Sequence, residues 1–164
     1  MVRFLSGSEI EEVYACGAVL VDPAIGKAGD IDTAVTTLRL SNGALAVIEN
    51  SRQAVFGYDQ RIEGFGSKGG NETYNEKPVQ PVLRTAAGIR SENPLHFFLE
   101  RYQRSFVIEV EAFFASIRDH EEPPAGGKDS LMALLVGLAA KQSWLEDRPV
   151  RVEPPGPPAP KRAR

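Results

Sequence analysis

The tripeptide Ser41-Asn42-Gly43 limits the fold more than any other feature of this sequence, because two β-rich runs, 32–40 and 44–51, flank it. Asn-Gly between such runs is the strongest short-range signal for a hairpin. Alternation along the first run gives one face of Ala34, Thr36, Leu38 and Leu40 and an opposite face of Thr33, Val35, Thr37 and Arg39. The second face is not strongly polar, so we expect an antiparallel sheet with one open, partly apolar face.

Other segments have a strand-like composition as well. Residues 12–22 are rich in Val, Tyr, Leu and Ala, and they run into a loop that contains Pro23 and Gly26. Cys16 lies in this segment, and we expect it to be a small buried side chain. The other predicted strands are 58–66, 71–76, 81–86 and 148–153. Together with the hairpin they predict a mostly antiparallel meander.

Two longer segments have helical periodicity. Large apolar residues recur within 96–120 at spacings of three and four, which gives the predicted helix an apolar stripe. Residues 131–147 are apolar nearly all the way round, so we expect that helix to be well buried, with Asp129 and Ser130 suited to its start. The sequence therefore predicts an α+β fold, in which a mostly antiparallel, open-faced sheet has two main helices packed on one face.

The two ends of the chain differ from the rest. MVRFLSG resembles the last turn of a helix closed by a glycine, which suggests a chain that starts inside an element. Residues 154–164 contain five prolines and three basic residues, a composition typical of a disordered tail. This tail is either an inert end or a ligand for a proline-recognition domain. We expect one domain over 1–153, incomplete at its N-terminus, followed by the tail.

Composition narrows the classes of function. The net charge of −3 gives no argument for nucleic acid as a partner. No apolar run approaches the roughly 20 residues needed to cross a membrane, and the N-terminus lacks the apolar core of a signal peptide. The single cysteine rules out a disulfide within the chain, which suits a reducing compartment. We therefore expect a cytoplasmic protein that binds neither nucleic acid nor membrane.

Residues 64–70, GFGSKGG, spell the G-x-G-x-x-G fingerprint of a dinucleotide-binding loop. That loop works because its glycines turn a strand directly into a helix, whose N-terminus holds the pyrophosphate. Here NETYNEKPVQP follows, and it has no helical period and two prolines that a helix interior excludes. The segment is therefore predicted to be a hairpin turn between strands, and no cofactor-binding residue is assigned to this chain.

His96 and His120 are the two histidines of the chain, and they lie at opposite ends of one predicted helix. At about 1.5 Å per residue they are roughly 36 Å apart, too far to share a metal ion or a catalytic dyad. No Ser/His/Asp order and no metal-ligand spacing is evident. The residues alone therefore predict neither a metal site nor a complete catalytic site.

One long stretch resembles a known family. GDIDTAVTTLRLSNGALAVIENSRQAVFGYDQRIEGFGSKGG is similar to the C-terminal domain of the Gfo/Idh/MocA oxidoreductases, and most resembles their bacterial myo-inositol 2-dehydrogenases. The flanking pieces VLVDPAIGKAGD, FFLERYQRSFVIEVEAF and LMALLVGLAAKQS, followed by RPVRV, agree in order and spacing. The likeness covers roughly residues 1–152.

This resemblance implies a two-domain enzyme, of which the chain contains the second domain. An N-terminal Rossmann domain would hold NAD(P) and carry the catalytic lysine of a Glu-Lys-Pro motif. Glu76-Lys77-Pro78 spells that motif here, but in the sheet region, so we treat it as a chance match. The catalytic histidine of the family would lie just before Met1. No catalytic residue is assigned to the chain, and alone it is expected to be inactive and not to bind NAD.

Substrate-facing residues are implied at Phe56 and Tyr58, which correspond to an aromatic pair near the polyol in inositol dehydrogenases. The Tyr58 hydroxyl would meet a hydroxyl of the polyol, whereas relatives often have tyrosine where Phe56 stands. Tyr58 is alternatively an ordinary strand tyrosine packed on the sheet. Tyr102 would either reach the pocket or belong to the helix stripe.

Taken together, the resemblance implies the substrate-binding and oligomerisation half of an NAD(P)-dependent oxidoreductase that converts a cyclic polyol to a ketone. The alternative is a non-catalytic orphan domain that acts in assembly or in binding a small polyol. In either case we expect the chain to pair with itself, as a homodimer or homotetramer, through the open face of the sheet.

Overall fold

The computed structural model describes residues 1–153. They form two compact units, one of Met1–Arg52 with the segment that begins at Ala125, the other of Gln53–Pro124. The helices are α1 (Val2–Ser6), α2 (Pro23–Lys27), α3 (Phe98–Arg101), α4 (Gln103–Asp119) and α5 (Gly127–Glu146). The strands are β1 (Ile10–Ala18), β2 (Thr33–Leu40), β3 (Leu45–Ser51), β4 (Ile62–Gly66), β5 (Gly69–Thr73), β6 (Val82–Thr85), β7 (Gly88–Ser91) and β8 (Val150–Arg151). This combination of helices and antiparallel strands confirms the expected α+β class.

The first unit is built on a four-stranded antiparallel sheet with the order β3-β2-β1-β8. The predicted hairpin joins β2 to β3, and Gly43 in its turn has a φ of +85°, a value that glycine adopts without strain. Along β2, side chains alternate between buried (Thr36, Leu38, Leu40) and exposed (Val35, Thr37, Arg39). The predicted alternation is therefore confirmed, and the sheet has one covered and one open face.

Helix α5 covers one face of this sheet. The buried core consists of Ile10, Val13, Leu38, Leu40, Met132, Ala139, Val150 and Val152. Ser143 fixes the helix to β1, because its Oγ accepts the N–H of Ala15 at 3.0 Å and donates to the carbonyl of Arg148 at 2.6 Å. Ser143 is fully buried, so these two bonds satisfy backbone groups that water does not reach.

The expectation that the second long helix is well buried is wrong. Helix α5 is buried at Met132, Ala139 and Ser143, whereas Leu134, Leu138 and Leu145 are more than half exposed. The sequence pattern shows an apolar surface all round, but a single sheet covers only the stripe of a helix that faces it.

The expectation that Cys16 is buried is also wrong. Cys16 lies in β1 as predicted, but its side chain is exposed. It is paired with Val35 of β2, so it belongs to the open face of the sheet. A strand alternates between two faces, and composition alone placed Cys16 on the incorrect one.

The second unit contains two separate hairpins, β4–β5 and β6–β7, followed by α3 and α4. The prediction that these segments continue one meander is wrong, since within the described residues each hairpin pairs with itself. The first strand begins at Ile62 rather than at Tyr58. None of the residues 53–124 is buried, so this unit exposes many apolar side chains.

The helix predicted over 96–120 is divided in two. Tyr102 ends α3 and precedes α4, with φ of −113° and ψ of 13°, outside the helical range. The predicted apolar stripe of α4 is present but stays on the surface: Phe106, Val110 and Phe113 are 45%, 52% and 55% exposed. No helix within residues 1–153 is long and apolar enough to cross a membrane.

Asp32 ties the loop after β1 to the sheet. Its carboxylate accepts the N–H groups of Leu20, Val21 and Asp22 at 2.8, 2.9 and 2.9 Å, and the Thr33 hydroxyl donates to it at 3.0 Å. Burial on its own raises the pKa of this carboxyl group. The hydrogen bonds from the backbone outweigh that effect and lower the pKa to about 2.

We expect Asp32→Asn to lower the melting temperature at neutral pH, because an amide cannot replace a carboxylate that accepts several N–H groups. The folded pKa of about 2 lies below the ordinary 3.8, so the stabilisation is complete above 3.8 and is lost as the pH falls through 2. Thermal unfolding from neutral pH down to about pH 2 measures this. Asp30→Asn, at an exposed neighbour, should follow the wild type throughout. A difference between wild type and Asp32→Asn that stays constant into acid would contradict the role of the charge.

Candidate functional site

Gly57 gives the segment Phe56-Gly57-Tyr58 its shape. Its φ is +136°, a conformation that side-chain-bearing residues rarely adopt. A Cβ atom at this position would lie 2.8 Å from the carbonyl oxygen of Pro94 and 3.1 Å from that of Leu95. Because these are backbone atoms, they cannot easily move away. The glycine therefore lets the chain pass close to residues 94–95. This close approach fixes the position of the Tyr58 backbone.

Tyr58 is held by its backbone and by its ring. Its N–H donates to the carbonyl of Leu95 at 2.9 Å. Its ring meets the ring of Tyr102 edge to face, with centroids 5.7 Å apart and planes at 86°, and lies 6.5 Å from the ring of Phe98. Edge-to-face and tilted contacts at these distances are favourable for aromatic pairs. We call Tyr58, Phe98 and Tyr102 the tyrosine cluster.

The residues after Tyr58 are fixed by a polar network. The Asp59 carboxylate accepts from Arg61 Nε at 2.9 Å and from Asn75 Nδ2 at 2.5 Å. Asn75 in turn accepts the N–H of Gln60 at 2.9 Å through its own side-chain oxygen. The hydrogen bond from Arg61, followed by that from Asn75, lowers the pKa of Asp59. Segment 58–60 is thereby joined to the residues around 75.

Arg101 and Glu76 flank the tyrosine cluster. The guanidinium carbon of Arg101 lies 5.6 Å from the centroid of the Tyr102 ring, within the range of a cation–π contact. One of its terminal nitrogens is 3.8 Å from a carboxylate oxygen of Glu76. Burial, followed by a hydrogen bond with Tyr58, raises the pKa of Tyr102, and the Arg101 cation opposes this shift. The site therefore holds two phenol side chains together beside a cation.

The two predicted substrate residues take different positions. Tyr58 is half-buried within the tyrosine cluster, and Tyr102 joins it there, so the structure brings together these two side chains. Phe56 is 44% exposed and, in the part of the chain that the structure describes, it is not one of the rings that contact Tyr58. The sequence analysis did not predict that Arg101 and Glu76 lie beside these tyrosines. The Glu76-Lys77-Pro78 triplet drew attention to Glu76, but only as a chance match.

The glycine-rich segment is a hairpin turn, as predicted. Gly66 pairs with Gly69, so Ser67 and Lys68 form the turn between β4 and β5. Strand β5 rather than a helix follows, and a pyrophosphate has no helix N-terminus to bind there. These residues do not fit a dinucleotide cofactor. Within residues 1–153, no group of His, Cys, Asp and Glu side chains could hold a metal ion.

Comparison with known proteins agrees with this architecture. Residues 1–72 match the family model described as the GFO/IDH/MocA C-terminal domain. Over 153 residues the chain is 52% identical to the myo-inositol 2-dehydrogenase of Thermotoga maritima, an alignment that covers 93% of this chain and 46% of that relative. The resemblance inferred from the sequence is confirmed: the chain carries a C-terminal domain of the GFO/IDH/MocA family.

Two solved structures show the same fold. A probable dehydrogenase from Thermotoga maritima has a TM-score of 0.89 at 51% identity, covering 92% of this chain and 45% of that one. The scyllo-inositol dehydrogenase of Lactobacillus casei, solved with bound NAD(H) and scyllo-inositol, has a TM-score of 0.82 at 27% identity, covering 92% and 44%. The chain thus spans about half the length of the relatives that it matches, 46% for the Thermotoga maritima enzyme.

Proposed function

We propose that this chain is the substrate-binding and assembly half of an NAD(P)-dependent oxidoreductase that oxidises a cyclic polyol, of the inositol type, to a ketone. The tyrosine cluster is the observation that carries the proposal. It holds two phenol side chains against each other in a domain whose relatives include inositol dehydrogenases. Hydroxyl groups that both donate and accept suit a neutral ligand rich in hydroxyls.

In this proposal the residues of the chain bind and orient the polyol. Tyr58 exchanges a hydrogen bond with a ring hydroxyl, and the rings of the cluster offer an apolar surface to the C–H groups of the cyclitol. Phe56, on the surface beside Gly57, adds apolar contact area. The nicotinamide cofactor, bound by a domain outside the described residues, would supply the hydride acceptor. Positioning of the alcohol against it is the contribution of this chain.

The Tyr58→Phe variant tests the proposal. It keeps the ring and its edge-to-face contact with Tyr102 and removes one hydroxyl, so we expect polyol binding to weaken roughly two- to tenfold, the effect of one neutral hydrogen bond. NMR titration of the chain with myo-inositol measures the affinity. Tyr74→Phe, at an exposed tyrosine of the same unit, is the matched control and should bind like the wild type. Equal affinities of wild type and Tyr58→Phe would contradict the assignment.

The assembly role is proposed for the open face of the first unit's sheet. Val35, Val47 and Leu45 on this face are 45%, 61% and 78% exposed. The pairing register places Cys16 beside Val35, and Tyr14 and Val47 beside Thr37. A contiguous surface of this kind favours a partner, most simply a second copy of the same chain across a two-fold axis. The homodimer or homotetramer would thus form sheet to sheet.

A further inference from the structure

We infer that Glu76 and Arg101 are positioning residues that orient the Tyr58–Tyr102 pair for a polyol ligand, an inference that rests on the proposed function. Neither residue needs to contact the ligand. Glu76 acts on the pair by two routes, one through its backbone carbonyl and one through its carboxylate.

The backbone route leads from Glu76 to Tyr58. The carbonyl of Glu76 accepts the N–H of Leu95 at 3.1 Å, and the carbonyl of Leu95 accepts the N–H of Tyr58 at 2.9 Å. Gly57 allows this close approach, since any Cβ there would meet the carbonyls of Pro94 and Leu95. Glu76 therefore helps to fix the backbone position from which the Tyr58 side chain projects.

The side-chain route leads from Glu76 through Arg101 to Tyr102. The Arg101 side chain is 22% exposed and lies between the Glu76 carboxylate and the Tyr102 ring. Its Nε is enclosed and has no hydrogen-bond partner among the described residues. The guanidinium thus limits the orientation of the Tyr102 ring, which meets the Tyr58 ring edge to face.

The two contacts of Arg101 differ in strength. The Glu76 side chain is 60% exposed, so its ion pair with Arg101 is screened by water and weak on its own. The cation–π contact joins the mostly enclosed Arg101 side chain to the half-buried Tyr102 ring, so it is partly desolvated and should contribute more. Loss of Arg101 is therefore expected to disturb the tyrosine pair more than loss of the Glu76 charge.

NMR of the full chain with ring-labelled tyrosine tests the inference, because the sequence contains four tyrosines and the spectrum is correspondingly simple. We expect Arg101→Gln to move the ring signals of Tyr58 and Tyr102 and to weaken myo-inositol binding roughly two- to fivefold. Glu76→Gln, which keeps the backbone carbonyl, should do the same to a smaller extent. Arg101→Lys keeps a cation and should restore part of the affinity. Arg84→Gln, at an exposed arginine of the β6–β7 hairpin, should change neither readout.

These measurements distinguish the orienting role of Glu76 and Arg101 from polyol binding by Tyr58. Unmoved Tyr58 and Tyr102 signals in Arg101→Gln would overturn the inference, as would moved signals with unchanged affinity. If Arg101→Gln also displaces Tyr74, the whole unit has been disturbed, and the milder Glu76→Gln variant decides the question by the same criteria. If Tyr58→Phe binds myo-inositol like the wild type, the proposed function fails, while the ring signals still report whether Glu76 and Arg101 orient the pair.

Discussion

Val47→Lys is expected to convert the self-associated chain into a monomer. Val47 lies on the edge strand β3 opposite Thr37, on the open sheet face, and its side chain is 61% exposed in the single chain. If that face is buried against a second copy, the variant places an ammonium group in the interface on each side. The free-energy cost of burying an unpaired charge is far larger than the free energy gained from the apolar contact of the original valine. The interface should therefore not form.

Light scattering at micromolar concentration measures the result. The wild type should have a mass of two or four chains, and Val47→Lys should have a mass near the 17.9 kDa of one chain. Leu138→Lys is the matched control, because Leu138 is 54% exposed but lies on α5, away from the open face. It should keep the wild-type mass. A wild-type mass near 17.9 kDa would show that the open face does not pair.

Gly57→Ala is expected to destabilise the second unit by about 2 kcal/mol and to displace Tyr58. A residue with a Cβ held at a φ of +136° stores strain on the order of 1–3 kcal/mol. The added methyl group would also lie 2.8 Å from the carbonyl oxygen of Pro94. Relief of that clash requires movement of segment 94–95, which carries the hydrogen bond to Tyr58. Polyol binding should weaken together with stability.

Two other glycines separate the causes of this effect. Gly69 has a similar φ of +142°, but a Cβ there meets no atom within 4 Å, so Gly69→Ala isolates the backbone strain. Gly64 has room for a methyl group and no positive φ, so Gly64→Ala should be nearly neutral. Urea unfolding should give the order Gly57 first, then Gly69, then Gly64. Equal losses at Gly57 and Gly69 would show that the approach to Pro94 is unimportant.

The sequence predicted the parts of the fold that depend on neighbours along the chain. Asn42-Gly43 sets the β2–β3 turn, and strict alternation separates the buried Leu38 from the exposed Thr37. The helix end at Gly7, with a left-handed φ of +61°, was likewise evident from MVRFLSG. These features follow from backbone preferences that local residues decide.

The features that the sequence did not predict depend on tertiary contacts. A strand pattern in the sequence does not show which strands pair. It therefore could not predict that β4 pairs with β5 rather than joining a larger sheet. Cys16 and the outer leucines of α5 are exposed because one face of each element has a cover and the other does not. The predicted Pro-rich tail, 154–164, lies outside the described residues.

The candidate site was likewise predicted only in part. Tyr58 came from a resemblance to a family rather than from a pattern, and for Tyr102 the sequence left two alternatives open, the pocket and the helix stripe. The pairing of Glu76 with Arg101 joins a loop to a helix, and no local spacing signals such a pair. Only the fold brings these groups to one place.

A single NMR titration can show whether this chain holds the polyol and leaves the cofactor to another domain. The wild-type chain with ring-labelled tyrosine is titrated first with myo-inositol and then with NADH. We expect saturable shifts of Tyr58 and Tyr102 with myo-inositol, and no saturable response to NADH. Tyrosine signals that do not respond to myo-inositol would contradict the claim, as would micromolar NADH binding that Gly66→Ala abolishes.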